Sequence, residues 1–411
     1  MKQLKAFVLF FVLMLAFASG CAQTTSTVTT TTTTTTISGA GMRKGPYLVY
    51  PNETTSMVVM WQSTATPAVS QIEWGTTTVY GNLAATTESG TGAAEHLFQY
   101  KIGSLAPATK YYYKVTVDNQ ISAGSFVTAS GSTAKNLVFY ATSDHHGKTD
   151  QDTVHQALLA DLAGDAARQT FCLNAGDLTD DSEDEDKWDD QFFNQNYSHT
   201  WEFLRNVPVL ESLGNHDTYH ADWSTALKPG ELVRKYWPLP YYAATDRSYY
   251  SFDWGPAHVI VLDQYNDNST YTVEGSAQYN WLRADLAANT KPWLFVMFHE
   301  PAWTASRSTG YHGNNTDIQD HLCPFFQTYD VDLVIQGHDH YYSRVEPTDG
   351  IVYLTLGGGG GPLGTPDTLA SYLAASNKTY HFARFNIVDT TMEVTVLNES
   401  GSVVDNFTVT N

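Results

Sequence analysis

Between Met42 and about Ser130 the apolar positions fall in short runs rich in β-branched and aromatic residues. SMVVMWQS, SQIEWGT, LFQYKIGSL, KYYYKVTV and SAGSFVTA follow one another at regular spacing, with turn residues between them. That spacing predicts an all-β sandwich. From about Ala134 the pattern changes to apolar runs alternating with amphipathic stretches. NLVFYATSD, TFCLNAGD, VPVLESLGN, AHVIVLDQYN, PWLFVMFHE and VDLVIQG read as strands. DTVHQALLADLAGDAAR, AQYNWLRADLAAN and DIQDHLCPFFQTY read as helices. GIVYLTLGG and HFARFNIVDTTMEVTVLN add β segments near the end of the chain. The strands are almost continuously apolar, as strands covered on both faces must be, so the second part is α/β. Residues 42–130 and 134–411 are therefore read as two domains.

The first 41 residues have a different character. Lys2 and Lys5 precede the apolar run Ala6–Ala18, which is too short to span a bilayer comfortably and has the form of a secretory signal. The stretch Ala18-Ser19-Gly20-Cys21 resembles a bacterial lipobox, so 1–21 is read as a signal peptide whose Cys21 carries the lipid. Residues 22–41, almost pure Thr from Thr24 to Thr36, have nothing to bury and read as a linker. An exported lipoprotein of the cell surface or outer membrane follows, with a periplasmic or secreted protein as the alternative. Contact with a membrane is expected only through Cys21. The formal charge of −21, with only 22 Lys and Arg, disfavours a nucleic-acid polymer as partner.

Chemistry concentrates where the second-domain strands end. NLVFYATS delivers Asp144-His145-His146, TFCLNA delivers Gly176-Asp177, and VPVLESL delivers Gly214-Asn215-His216-Asp217. PWLFVMF runs into His299 and VDLVIQ into Gly337-His338-Asp339-His340. A single strand-end His is usually structural. Several ends placing only oxygen and imidazole donors at one sheet edge suit Mn, Fe, Zn or Co rather than a thiolate zinc site. The "GKT" after His146 is no phosphate loop, because Thr142 stands where its first Gly is required.

The order D-x-H, G-D, G-N-H-D, H, G-H-x-H resembles the calcineurin-like metallophosphoesterase superfamily over Asp144–His340. The preceding domain carries LAPATKYYYKV, with Leu105, Pro107, Thr109 and Tyr111 placed as in a fibronectin type III tyrosine corner and Trp61 as its core Trp. That domain, FVMFHEPAW and LTLGGGGGPLG together resemble the purple acid phosphatase branch. The resemblance implies a fibronectin-like sandwich before a four-layer αββα domain. It implies two metal ions per chain, one held by Asp144, His146, Asp177 and His340. The other would be held by Asp177, Asn215, His299 and His338, with Asp177 bridging. Two divalent ions against two carboxylates leave a site of roughly +2, suited to hydroxide and phosphate. Phosphomonoesters would be hydrolysed by in-line attack of a metal-bound hydroxide, with His216 as general acid and Asp217 orienting it. A phosphodiesterase or nucleotidase on the same site is the nearest alternative, and a non-catalytic surface binding protein a more distant one.

The chain departs from the purple branch in two places. His146 stands where that branch has Gly, and Asp180 stands where it has the Tyr that colours its iron. A colourless or faintly coloured protein is expected. Among weaker signals, His145, Arg307 and His312 are candidate substrate contacts. The acidic stretch Asp180–Asp190 reads as a solvated loop or helix start. Cys172 reads as a buried thiol, and a bridge to Cys323 stays open.

Overall fold

The structure is a computed structural model, and it describes residues 40–89, 95–218, 230–239, 248–265, 271–306, 312–346 and 350–411. The proposed signal and lipobox, and the proposed linker up to residue 39, lie outside these residues.

The first part folds as two antiparallel sheets. Met42–Val49, Met57–Ser63 and Leu97–Ile102 form one, and Asn82–Ala85, Ser70–Gly75, Lys110–Val117 and Gln120–Val127 form the other. The strands Met42–Val49 and Asn82–Ala85 were not expected. The first is interrupted by Gly45-Pro46 and the second exposes three of its four residues, so neither gives an alternating signal. Trp61 is wholly buried and stacks on Phe98 with ring centroids 5.5 Å apart. The Tyr111 hydroxyl accepts a hydrogen bond from the Ala106 N–H at 3.0 Å, closing the turn that its own strand follows.

The second part contains a six-stranded and a seven-stranded sheet. The six-stranded sheet runs in the order Val209–Glu211, Cys172–Asn174, Asn136–Thr142, His381–Val388, Thr391–Asn398, Val403–Thr410. The seven-stranded sheet runs Tyr250–Trp254, Ala257–Val261, Trp293–Met297, Leu333–Gln336, Val352–Leu356, Tyr342–Val345, Leu373–Asn377. The first three strands of one sheet are mutually parallel, as are Ala257–Val261, Trp293–Met297, Leu333–Gln336 and Val352–Leu356 in the other.

Two-sided burial explains the continuous apolar runs. In Trp293–Met297, Trp293, Phe295 and Met297 enter the core between the sheets, while Leu294 and Val296 pack under the helix Ala277–Ala288 with Leu282 and Leu286. The two sheets meet at Phe139, whose ring lies 5.4 Å from Phe295 across the interface and stacks on Phe385 at 4.5 Å. On the other face of the same strand, Tyr140 donates to Asp161 at 2.8 Å in the helix Thr149–Leu162. The predicted helix 317–329 is broken into Thr316–His321 and Cys323–Thr328. Pro324 at the start of the second piece has no N–H to continue the ladder.

The acidic stretch is a helix start, with the Asp184 side chain accepting from the Asp186 N–H ahead of the short helix Glu185–Lys187, and not a solvated loop. Glu185 pairs with Lys235 at 2.9 Å, and Asp189 reaches Lys44 of the sandwich at 2.6 Å. Trp188 is buried against Tyr236 and Trp237. Lys44 is itself buried and also donates to Gln62, so these acids fix the sandwich to the α/β domain. Cys172 and Cys323 are both buried free thiols, which closes the question of a bridge between them.

Candidate metal centre

Every motif singled out in the α/β part leaves the carboxyl end of a parallel strand. Asn136–Thr142, Cys172–Asn174 and Val209–Glu211 bring Asp144, His146, Asp177, Asn215 and His216 from one sheet. Trp293–Met297 and Leu333–Gln336 bring His299, His338 and His340 from the other. The side chains converge because the chain turns abruptly there. Asp144, His146, Asp177 and His338 have φ of 60°, 50°, 58° and 68°. Left-handed backbone at a non-glycine residue costs about 1–2 kcal/mol, and its clustering here marks a site held by surrounding bonds.

Those bonds are specific. The Asp144 N–H donates to Gly176 O at 3.0 Å and the His146 N–H to Asp177 O at 3.1 Å, so two strand ends brace each other. Both Asp144 oxygens accept from the His338 N–H, at 3.0 and 2.9 Å. Asp177 Oδ1 accepts from the His216 N–H at 2.8 Å. The Gly176 φ of +101° lets this turn pass close to Gly214 and His299, where a Cβ would meet the His299 ring at 2.7 Å.

Among the described residues, three donor groups result: Asp144, His146 and His340; Asp177, His299 and His338; and His146, Asp177 and His216. Within each, one donor atom per residue lies within 4.8 Å of the others. Asn215 Oδ1 sits 3.1 Å from His299 Nε2 and 2.9 Å from His338 Nδ1, inside the second group. His299 Nε2 lies 3.2 Å from Asp177 Oδ2, and His340 Nε2 lies 3.3 Å from Asp144 Oδ1. This donor set, mostly buried oxygen and imidazole nitrogen with His340, His216 and Asn215 partly exposed and one carboxylate between two clusters, fits two hard-to-borderline divalent ions.

Electrostatics point the same way. Burial alone would raise the Asp144 and Asp177 carboxyls, but the imidazoles around them, His299 foremost, hold both below the usual carboxylate range. Burial likewise opposes charge on His299, yet Asp177 and Asp144 push it up to about 10. The cluster thus retains two buried carboxylates that need cations beside them.

The remaining candidates separate clearly. Asp217 does not touch the His216 ring. Its Oδ2 accepts from the N–H groups of Asp177 and Gly214, both at 2.8 Å, and its Oδ1 from Ser182 Oγ at 2.5 Å. It braces the loop instead of orienting the imidazole, because two backbone donors and a hydroxyl occupy it. His145 turns away from the cluster. Only 1% exposed, it bonds Asn174 at 3.0 Å and packs on His155, and burial lowers its pKa to about 3. The side chain of His312 stands at the site's mouth, 56% exposed, stacked on His338 at 4.5 Å with Nδ1 3.2 Å from Asp339. Arg307 lies outside the described residues. A cleft of about 430 Å³ adjoins His340 and His312, lined by Ala305, Ser306, Tyr341 and Pro362 among others.

Sequence reasoning missed three supports. Gln264 Oε1 accepts from the N–H groups of His299 at 2.9 Å and Glu300 at 2.6 Å. Asp339, inside G-H-x-H, holds Thr304 and Tyr341 at 2.8 and 2.9 Å as well as His312. Asp180, noted only as a departure, bonds His146 Nδ1 at 3.1 Å through its side chain. Its carbonyl oxygen bonds His216 Nδ1 at 2.6 Å. Only the placement of Asp180 and Asp339 next to ligand motifs could have flagged them.

Comparison with known proteins bears on this arrangement. Residues 44–131 match the family "Purple acid Phosphatase, N-terminal domain" and residues 137–342 match "Calcineurin-like phosphoesterase". Purple acid phosphatase 18 of Arabidopsis thaliana is 33% identical over 30% of this chain and 30% of its own length. Purple acid phosphatase 21 of the same plant is 28% identical over 63% of this chain and 57% of its own length. The chain thus spans about a third to just over half of these two relatives. The purple acid phosphatase PPD1 from yellow lupin (Lupinus luteus) seeds shares the fold, with a TM-score of 0.70 at 18% identity over 89% of this chain and 74% of that one. With the family's motifs filled at all five strand ends and the matched segment covering the whole donor cluster, the chain belongs to the calcineurin-like phosphoesterase family, and the segment before it matches the purple acid phosphatase N-terminal domain.

Proposed function

We propose that the protein is a binuclear-metal phosphatase acting on phosphomonoesters, exported and anchored through a lipidated Cys21. The observation that carries the catalytic part is the pair of donor clusters on either side of Asp177. Asp144, His146, Asp177 and His340 would hold one ion, and Asp177, Asn215, His299 and His338 the other. Such a pair supplies Lewis-acid stabilisation of phosphoryl oxygens and a lowered pKa for bound water.

The chain's own residues do the rest. His216 Nδ1 is committed to the Asp180 carbonyl, so that nitrogen carries the hydrogen and Nε2 is the atom that can face the substrate. A proton leaving Nε2 to the departing alkoxide is the general-acid step. Ala175 O accepts from His299 Nδ1 at 2.6 Å and Pro362 O from His340 Nδ1 at 2.9 Å, so both rings present Nε2 to the cluster. His312 stands beside the cleft as a second imidazole for phosphate oxygens, and the cleft has room for the alcohol part of an ester.

Rates on p-nitrophenyl phosphate and bis(p-nitrophenyl) phosphate test the substrate class. The reading expects the monoester to be preferred, and dominant bis-ester hydrolysis would replace it with the phosphodiesterase alternative. A metal-loaded protein that released no phosphate from a broad ester panel would favour the binding-protein alternative. Among the described residues no helix is long and apolar enough to cross a membrane. Labelling of wild type but not Cys21→Ser with a fatty acid would test the anchor.

A further inference from the structure

Asp180 touches two functional imidazoles through different atoms. Its carboxylate Oδ1 lies 3.1 Å from His146 Nδ1, and its main-chain oxygen lies 2.6 Å from His216 Nδ1. A carboxylate and a carbonyl can only accept, so both Nδ1 atoms must carry hydrogen. In a neutral ring the lone pair is then on Nε2. For His146 that atom faces the cluster, 3.1 Å from His340 Nε2 and 3.5 Å from Asp177 Oδ2.

The Asp180 side chain is itself fixed. Its second oxygen is paired with the Lys148 ammonium and accepts from Gln191 Nε2 at 3.1 Å, while Gln191 Oε1 accepts the Asp180 N–H at 2.8 Å. The His146 side chain, in contrast, is 4% exposed and has φ of 50°, a backbone conformation that does not by itself settle where the ring points. Orientation therefore comes from Asp180, backed by Lys148 and Gln191.

We propose that Asp180 is a positioning residue for the metal position formed by Asp144, His146 and His340, acting through the His146 ring and strengthening its Nε2 as a donor. The proposal rests on the dimetal reading above. A carboxylate behind a metal-bound imidazole is generally worth about 10–100-fold in affinity. The effect should be confined to one of the two positions, because Asp180 touches neither His299 nor His338, and His299 Nδ1 on the Asp177 side is held by Ala175 O instead.

The test is Zn²⁺ loading of the full chain by equilibrium dialysis with metal analysis, for wild type, Asp180→Ala and Asp180→Asn. Thermal melting of the metal-free proteins runs alongside. Wild type should take two ions. Asp180→Ala should bind one of them about 10–100-fold more weakly and keep the other, with the metal-free melt unchanged. Asp180→Asn, which keeps an acceptor for Nδ1–H but loses the charge and the Lys148 pair, should fall between. Should the Ala variant fail to fold, the Asn variant carries the test alone by the same selective loss. Wild-type affinity for both ions in a folded variant would overturn the proposal, and so would an equal loss of both ions. A wild type that bound no Zn²⁺ would overturn the dimetal reading itself.

Discussion

Gly214→Ala is the smallest change that separates the geometry of this centre from its composition, since no donor is removed. A Cβ at 214 would lie 2.1 Å from Asp177 Oδ1 and 2.6 Å from Asp177 N. Ordinary contact begins near 3.4 Å, so the carboxylate or the loop must give by more than 1 Å. Neither side yields freely. The Gly214 and Asp177 N–H groups share one oxygen of Asp217, and Asp177 Oδ1 is held by the His216 N–H. Relief of the overlap therefore either breaks these bonds or swings Asp177 out of both clusters. The stability cost is about 1–3 kcal/mol, as for other overpacked positions. The cost to metal binding is larger in consequence, because metal–ligand distances tolerate only about 0.2 Å. We expect Gly214→Ala to fold, to melt a few degrees lower, and to lose at least one ion at concentrations that saturate wild type. Calorimetric titration with Zn²⁺ or Mn²⁺ and phosphate release would read both effects. Two ions bound at wild-type affinity would refute the claim that Asp177 is locked between these loops.

Other perturbations probe the remaining links. His216→Ala should retain both ions while losing roughly 10²–10⁴-fold in turnover, least with a nitrophenyl leaving group that needs no proton; metal loss would contradict its assignment. Phe139→Ala, which empties the joint between Phe171, Phe295 and Phe385, should cost about 3–5 kcal/mol in urea unfolding. An effect below about 1 kcal/mol would mean that the two sheets are not joined there. His258, 2.7 Å from Asp253 and 2.9 Å from Asp285, is pushed up to about 9 by those carboxylates although burial opposes the charge. Because the folded pKa lies above the unfolded one, its contribution is complete below about pH 6.5 and vanishes as pH rises through about 9. With Asp253 half exposed, about 1–2 kcal/mol is expected. His258→Gln should lose that much at pH 6 and little at pH 9.5, and a deficit constant with pH would exclude the ion pairs as its source.

The parts legible in the sequence are those that repeat a local rule. Trp293–Met297 could be read as a doubly covered strand because each of its residues is apolar, and the structure divides them between two cores. His299, His338 and His340 could be read because they end such strands. Several strands escaped, three of them for the opposite reason. Asn82–Ala85, Leu373–Asn377 and Val403–Thr410 lie at sheet edges with much of their length exposed, so their residues carry polar and apolar character in no steady order. Edge position is a property of the assembled sheet and has no local sequence signature.

The same distinction governs the site. A ligand announces itself by residue type at a strand end, whereas a residue that aims a ligand is defined by what it meets in space. Asp180, Asp217 and Asp339 are all aspartates beside a motif, and the sequence treats them alike. The fold gives Asp217 to the backbone N–H groups of Gly214 and Asp177, gives Asp339 to Thr304, Tyr341 and His312, and gives Asp180 to His146. Their environments follow from this. Burial, with Asp177 nearby, pushes Asp217 up to about 6, while the His146 and Lys148 bonds hold Asp180 below the carboxylate range despite partial burial. An aspartate serving backbone amides braces the frame, and one kept ionised behind an imidazole tunes the donor in front of it. On that physical ground Asp180, and not the Asp217 suggested by its place next to His216, belongs to the working part of the centre.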